Sequence, residues 1–150
     1  MFILLSFIGI LAGILIARYT KEELKEGKKY FIILERICLI LISLILISNY
    51  KISWVVLLGL IAGYFLNIIY LVFGLTLVLT NNMMLSIIVF IYGMPYGSML
   101  KEKTKKVLKD LVLFLLPALL LINNFNLTNE LISFAVGFMF IRGVSWKYKS

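Results

Sequence analysis

The stretch Asn81–Lys106, NNMMLSIIVFIYGMPYGSMLKEKTKK, decides how the rest of the chain is arranged. It joins an apolar run, a Gly-Met-Pro-Tyr-Gly-Ser interruption and a cluster of lysines. Met83 to Leu100 carries no charge, but Pro95 within it removes a backbone donor and crowds the preceding turn. Gly93 and Gly97 on either side leave the backbone open. Two readings follow. The segment is a kinked helix that crosses a bilayer, with Gly93 and Gly97 as a G-x-x-x-G packing pair. Alternatively, Met83 to Tyr92 enters only partway, since its rise as a helix is roughly 15 Å. Gly93 to Ser98 is then a non-helical tip, and the chain returns extended to Lys101. Backbone of that kind is tolerated at membrane depth only where it is buried in protein or lines a cavity.

The bilayer enters because of composition. Hydrophobic residues make up 63% of the 150-residue chain, against roughly 45–50% in an ordinary soluble domain. Several long segments have few or no charges, and strand-like alternation is absent. The expected fold class is an all-α, polytopic integral membrane helical bundle with short loops, forming a single transmembrane domain over residues 1–150. It has either five spans plus one re-entrant segment or six spans.

Outward from the opening stretch, the expected spans are Phe2 to Ala17, Tyr30 to Ser48, Trp54 to Leu79, Met83 to Leu100, Val107 to Ile122 and Leu131 to Val144. In the first, Gly9, Gly13 and Ala17 share a face that lets another helix approach closely. No basic residues precede it and no A-x-A-like site follows, so it is expected to stay attached as an anchor. The loop Arg18 to Lys29 has Thr20 as a candidate cap and Gly27 as a stop. Trp54 to Leu79 reads as one uninterrupted helix with a stripe of Gly59, Gly63, Asn67 and Gly74. Asn67, near mid-bilayer, requires a hydrogen-bond partner on another helix or a solute. Pro117 predicts a kink. Asn126-Leu127-Thr128 matches a glycosylation acceptor but stands too close to two spans to expect modification.

Charge sets the orientation. The loops Arg18–Lys29 and Lys101–Lys109 and the tail from Arg142 hold thirteen basic residues, and the turn Asn49 to Ser53 holds only Lys51. Retention of Lys and Arg on the cytoplasmic side places the first group inside and Lys51 outside. The N-terminus is then external, the C-terminus cytoplasmic, and the chain between Ile52 and Leu100 crosses an odd number of times. Two ordinary helices there would violate this, which favours the re-entrant alternative. Richness in Ile, Lys and Asn suggests the cell membrane of a prokaryote with an AT-rich genome.

The net charge of +8 is explained by these loops, so nucleic acid is not an expected partner. Lys101, Lys103, Lys105 and Lys106 are candidate contacts for anionic lipid head groups. The other expected partners are the bilayer itself, further copies of the chain, or subunits of a membrane complex. There is no His and one cysteine, Cys38, which excludes the usual zinc sites, Ser-His or Cys-His catalysis and an internal disulfide. No P-loop is present, and no metal or other cofactor is expected. Glu35, beside Arg36 inside a span, is an ionisable residue of the kind that marks function in membranes. The candidate binding set is Glu35, Asn67, Gly93, Pro95, Tyr96 and Gly97, with no catalytic residue among them. The leading expectation is a non-enzymatic, transporter-like protein or the membrane subunit of a larger complex. The alternatives are an intramembrane enzyme acting on a lipid or lipid-linked phosphate, with Glu35 or Asp110 as acid or base, and a structural or insertion factor.

Overall fold

A computed structural model describes residues 2–19, 23–100, 104–120 and 128–145. Thr20 and Glu22, Lys101 and Lys103, Asn126 and Leu127, and the tail residues Trp146 to Lys149 lie outside the described residues. Within them the chain is all helical, with no strand: α1 (Phe2–Tyr19), α2 (Glu23–Asn49), α3 (Val55–Phe65), α4 (Ile69–Thr80), α5 (Met83–Met99), α6 (Thr104–Leu120) and α7 (Thr128–Val144). Only Gly27–Asn49, within α2, is long and apolar enough among the described residues to cross a membrane by length and composition alone.

Two of these elements bear on the sequence reading, the first by selecting the helical one of its two alternatives and the second by correcting it. Met83 to Leu100 is not re-entrant: α5 runs helically through Gly93, Pro95 and Gly97 to Met99. The interruption falls instead inside Trp54 to Leu79, where α3 ends at Phe65 and α4 begins at Ile69. Leu66 is extended, at φ −97° and ψ 138°. Helical bonding resumes where the amides of Leu71 and Val72 both donate to the Ile68 carbonyl. Arg142 Nη2 of α7 donates to the Leu66 carbonyl, satisfying with a charged group an acceptor that a continuous helix would have used. The predicted loop from Arg18 to Lys29 is also largely helical, since α2 starts at Glu23 and Gly27 lies inside it. Pro117 lies inside α6 without ending it.

Two close parallel pairs organise the bundle. A Cβ added at Gly9 or Gly13 would fall on the carbonyl oxygens of Phe90 and Met94, and one at Gly97 on that of Ile10, so α1 and α5 run side by side in the same direction. Ser6 Oγ donates to the Ser86 carbonyl at 3.0 Å in the same register. The second pair repeats this geometry. A Cβ at Gly59 meets the Phe134 carbonyl and one at Gly137 meets that of Val56, so α3 is parallel to α7. The Ser53 amide donates to Ser133 Oγ at 3.0 Å at one end of this pair, and Arg142 reaches Leu66 at the other.

These registers fix the direction of every helix. Gly143, near the end of α7, lies against Arg36 and Ile40 in the first half of α2, so α2 is antiparallel to α7. We call the end holding Met99 and Val144 lower, and the end holding Lys51 and Asn82 upper. From the upper end, α3 descends to the interruption beside Arg142. The next helix begins level with the C-terminal half of α5, since the Tyr70 and Tyr96 rings are 5.0 Å apart. It ends at Thr80, where Asn81 adopts a left-handed φ of 44° and Asn82 Oδ1 accepts from the Met84 amide at 2.8 Å to start α5. Thus α3 and α4 form a pair that enters and returns, each rising only about 16–18 Å.

No residue of α4 is exposed. Tyr70 and Phe73 pack among Phe7, Tyr92, Tyr96 and Phe114, with Phe73 and Tyr92 edge to face at 4.8 Å. The other six helices turn large apolar side chains outward, among them Leu15, Leu44, Leu57, Ile61, Ile87, Leu108 and Phe140.

Candidate functional site

At the lower end, α5 and α6 bring Tyr96, Lys106 and Asp110 together, and Glu35 of α2 is buried within the field of Lys106. Glu35 of α2 is 8% exposed, and its Oε1 has no hydrogen-bond partner. The cation whose field acts most strongly on it is Lys106 of α6, ahead of the adjacent Arg36. Lys106 is itself exposed, with its ammonium 5.3 Å from the centre of the Tyr96 ring. The Tyr96 hydroxyl donates to Asp110 Oδ2 at 2.8 Å, and Asp110 is likewise 8% exposed. Lys106 and Lys109 both act on Asp110. One ammonium therefore lies within electrostatic range of two buried carboxylates on different helices.

Local sequence explains each position. Glu35 occupies the same face of α2 as the buried Cys38, Leu39 and Ile42, so helical periodicity carries it inward. Asp110 is one turn beyond Lys106 on α6, the spacing at which opposite charges lie along one face. Tyr96 is placed by the α5 helix that Pro95 fails to interrupt, and its ring leans on Tyr70 and Tyr92.

The other candidate residues separate from this cluster. Gly93 and Gly97 face the α1 backbone at Gly9 and Ile10, which makes them packing positions and not a solute-facing tip. Pro95 is buried in an intact helix. Asn67 is exposed in the interruption instead of central in a continuous helix, and the expected stripe divides, with Gly59 and Gly63 facing α7 and Gly74 facing the Phe114 carbonyl of α6. Lys105 is exposed beside Lys106.

The sequence reading passed over two participants. Asp110 stands there only as a possible acid or base, and its bond to Tyr96 joins two helices that local pattern does not connect. Arg142 was read as a topological charge alone, and nothing local announces that it caps a carbonyl 76 positions away. Among the described residues no group of three or more His, Cys, Asp or Glu is placed to hold a metal ion. No family model, curated protein or solved structure matches this chain.

Proposed function

We propose that this chain is an integral membrane protein with five crossing helices and one re-entrant helical pair, working as a non-enzymatic, transporter-like protein. The observation that carries the reading is the α3–α4 pair: two short helices of opposite direction meeting at an unwound segment, with α4 enclosed at the bundle centre. Interrupted helices of this kind supply backbone polar groups that a continuous helix does not, here beside Arg142 toward the lower end. Three further features agree with a bilayer setting. Large apolar side chains face outward on six helices, an arrangement that water penalises and lipid does not. Described basic residues Arg18, Lys28, Lys29, Lys105, Lys106, Lys109 and Arg142 belong to the lower end, and Lys51 to the upper. Retention of positive charge then makes the lower end cytoplasmic, and the cell membrane of a prokaryote the expected location. Five crossings with one re-entrant pair also resolve the length and charge conflict, with α3–α4 as the re-entrant element in place of Met83–Leu100.

The test is side-specific labelling. In a Cys38→Ser background, single cysteines replace Lys28, Lys51, Asn81 and Lys105, and intact cells are treated with a membrane-impermeant thiol reagent before and after lysis. The expected result is labelling at Lys51 and Asn81 from outside, and at Lys28 and Lys105 only after lysis. Asn81 is decisive, because labelling there only after lysis makes α3 and α4 one crossing and removes the re-entrant pair. Labelling of all four sites from outside would remove the membrane reading altogether.

A further inference from the structure

We infer that this chain is an internal duplication: α1–α3 and α5–α7 are two parallel copies of one three-helix unit, each the docking partner of the other as in a two-fold dimer, and α4 is the helix inserted to join them. This relation between the halves goes beyond the membrane reading above and holds whichever side of a bilayer either end faces.

The sequence repeats where the second helix of each unit runs into the turn that follows it. Lys28–Ser53 and Lys103–Thr128 align without a gap. Lys28, Leu41, Leu44, Leu46, Ile47 and Asn49 recur unchanged as Lys103, Leu116, Leu119, Leu121, Ile122 and Asn124, and NYKIS returns as NFNLT. The same alignment sets Glu35 on Asp110. Weak internal similarity of this kind is what a duplicated membrane fold leaves behind. Burial supplies an independent match. Ile32–Ile37 of α2 and Val107–Val112 of α6 show the same succession of half-buried, exposed, exposed, buried, half-buried and exposed residues. The two acids hold the buried place, each 8% exposed.

The seams carry the symmetry into three dimensions. A Cβ added at Gly13 would meet the carbonyl of Met94, one turn before Gly97, and one added at Gly97 would meet that of Ile10, one turn before Gly13. Gly59 and Gly137 stand in the same relation through Phe134 and Val56. Reciprocal contact between equivalent residues is the mark of an isologous interface, the kind a two-fold axis makes. First helix pairs with first and third with third, each pair parallel, so the axis runs along the helices.

A unit of three helices finishes at the opposite end from its start, so a second copy in the same orientation needs one returning helix before it. That helix is α4, which gives the α3–α4 interruption a reason that its own residues do not. Symmetry is lost on one side, where α2 packs on α5 and α7 but its equivalent α6 packs on the inserted α4. The duplication also makes Glu35 and Asp110 one position used twice, with no need for them to meet. In the second unit the acid accepts from Tyr96 of the first helix. The match of Gly13 with Gly97 puts Ala12 in the place of Tyr96, so the first unit has no such hydroxyl and Glu35 Oε1 is left without a donor.

Grafts within the full-length chain, purified in detergent and followed by thermal unfolding, test the duplication. In one, Val107–Leu116 is replaced by Ile32–Leu41, which keeps the frame and leaves an acid at the Asp110 position. In the other it is replaced by Phe31–Ile40, one residue out of frame, which moves the acid to the Leu111 position and an arginine to the exposed Val112 position. The in-frame graft should keep Tm within about 5 °C of the parent, and the shifted graft should lose at least about 10 °C. An in-frame loss equal to or larger than the shifted one overturns the duplication. Where neither graft folds, the glycines decide. Gly13→Ala and Gly97→Ala should lower Tm equally to within about 2 °C, as should Gly59→Ala and Gly137→Ala, because a two-fold seam makes the members of each pair equivalent. Unequal losses in either pair overturn it.

Discussion

The helix α5 and the α3–α4 pair present opposite outcomes from misleading local signals. The first holds Gly93, Pro95 and Gly97 within five positions and remains helical to Met99. The second has no Gly or Pro between Tyr64 and Phe73, yet unwinds at Leu66 to Ile68. The difference lies in what surrounds each segment. Helix α5 lies against the α1 backbone along its glycine face, and its tyrosines are packed by α4, so distortion would forfeit contacts on two sides. The α3–α4 junction is exposed and has Arg142 to donate to the freed carbonyl. Tertiary partners, not breaker residues, decide where this chain bends.

The most severe way to break that contrast is Gly97→Leu. The added side chain must enter at the Ile10 carbonyl, where backbone cannot yield, and a loss of about 3 kcal/mol is expected. Thermal unfolding in detergent measures it; a variant as stable as the parent would mean that the α1–α5 contact does not hold α5 straight. Next in size is Arg142→Leu, expected to cost about 2 kcal/mol by stranding the Leu66 carbonyl and to raise labelling of a cysteine placed at Asn67. Unchanged labelling and stability would show that the unwinding is independent of that cap.

Smaller effects sharpen the comparison. Tyr96→Phe removes the bond to Asp110 and should destabilise the α5–α6 contact by about 1 kcal/mol. Because the ring packing is retained, a loss comparable to that of Gly97→Leu would assign the hydroxyl a larger structural part than proposed. Pro95→Ala should lie within about 1 kcal/mol of the parent, restoring a backbone donor to a helix that already forms. A large gain on this substitution would reveal that α5 is held helical under strain.

Much of the helix layout was legible in sequence. The turn at Asn49 to Ser53 and the Thr80 to Asn82 junction carry polar residues between apolar runs, and both separate helices in the structure. Gly9 and Gly13 were read as a close-approach face, and Gly93 and Gly97 as a possible packing pair; their union as one interface joins residues some 80 positions apart, beyond local pattern. Glu35 stood out because charge is rare in apolar helices. Its place in the field of Lys106, and the bond between Tyr96 and Asp110, join residues on different helices, which periodicity does not encode. The interruption at Leu66 was hidden for the same reason, since its cap belongs to the last helix.

The two glycine interfaces also set an order of events during synthesis. Helix α1 emerges first and finds its partner only when α5 has been made, and α3 waits for α7, the last helix of the chain. Until then α4 has neither α6 nor α7 to cover it, and its aromatic face must be shielded by lipid or by helper proteins. A chain that ends between Met99 and Thr128 therefore holds both partners of the α1–α5 seam but lacks the one that closes the seam along α3. Truncation from the C-terminus should be far more damaging to this protein than its short final helix would suggest.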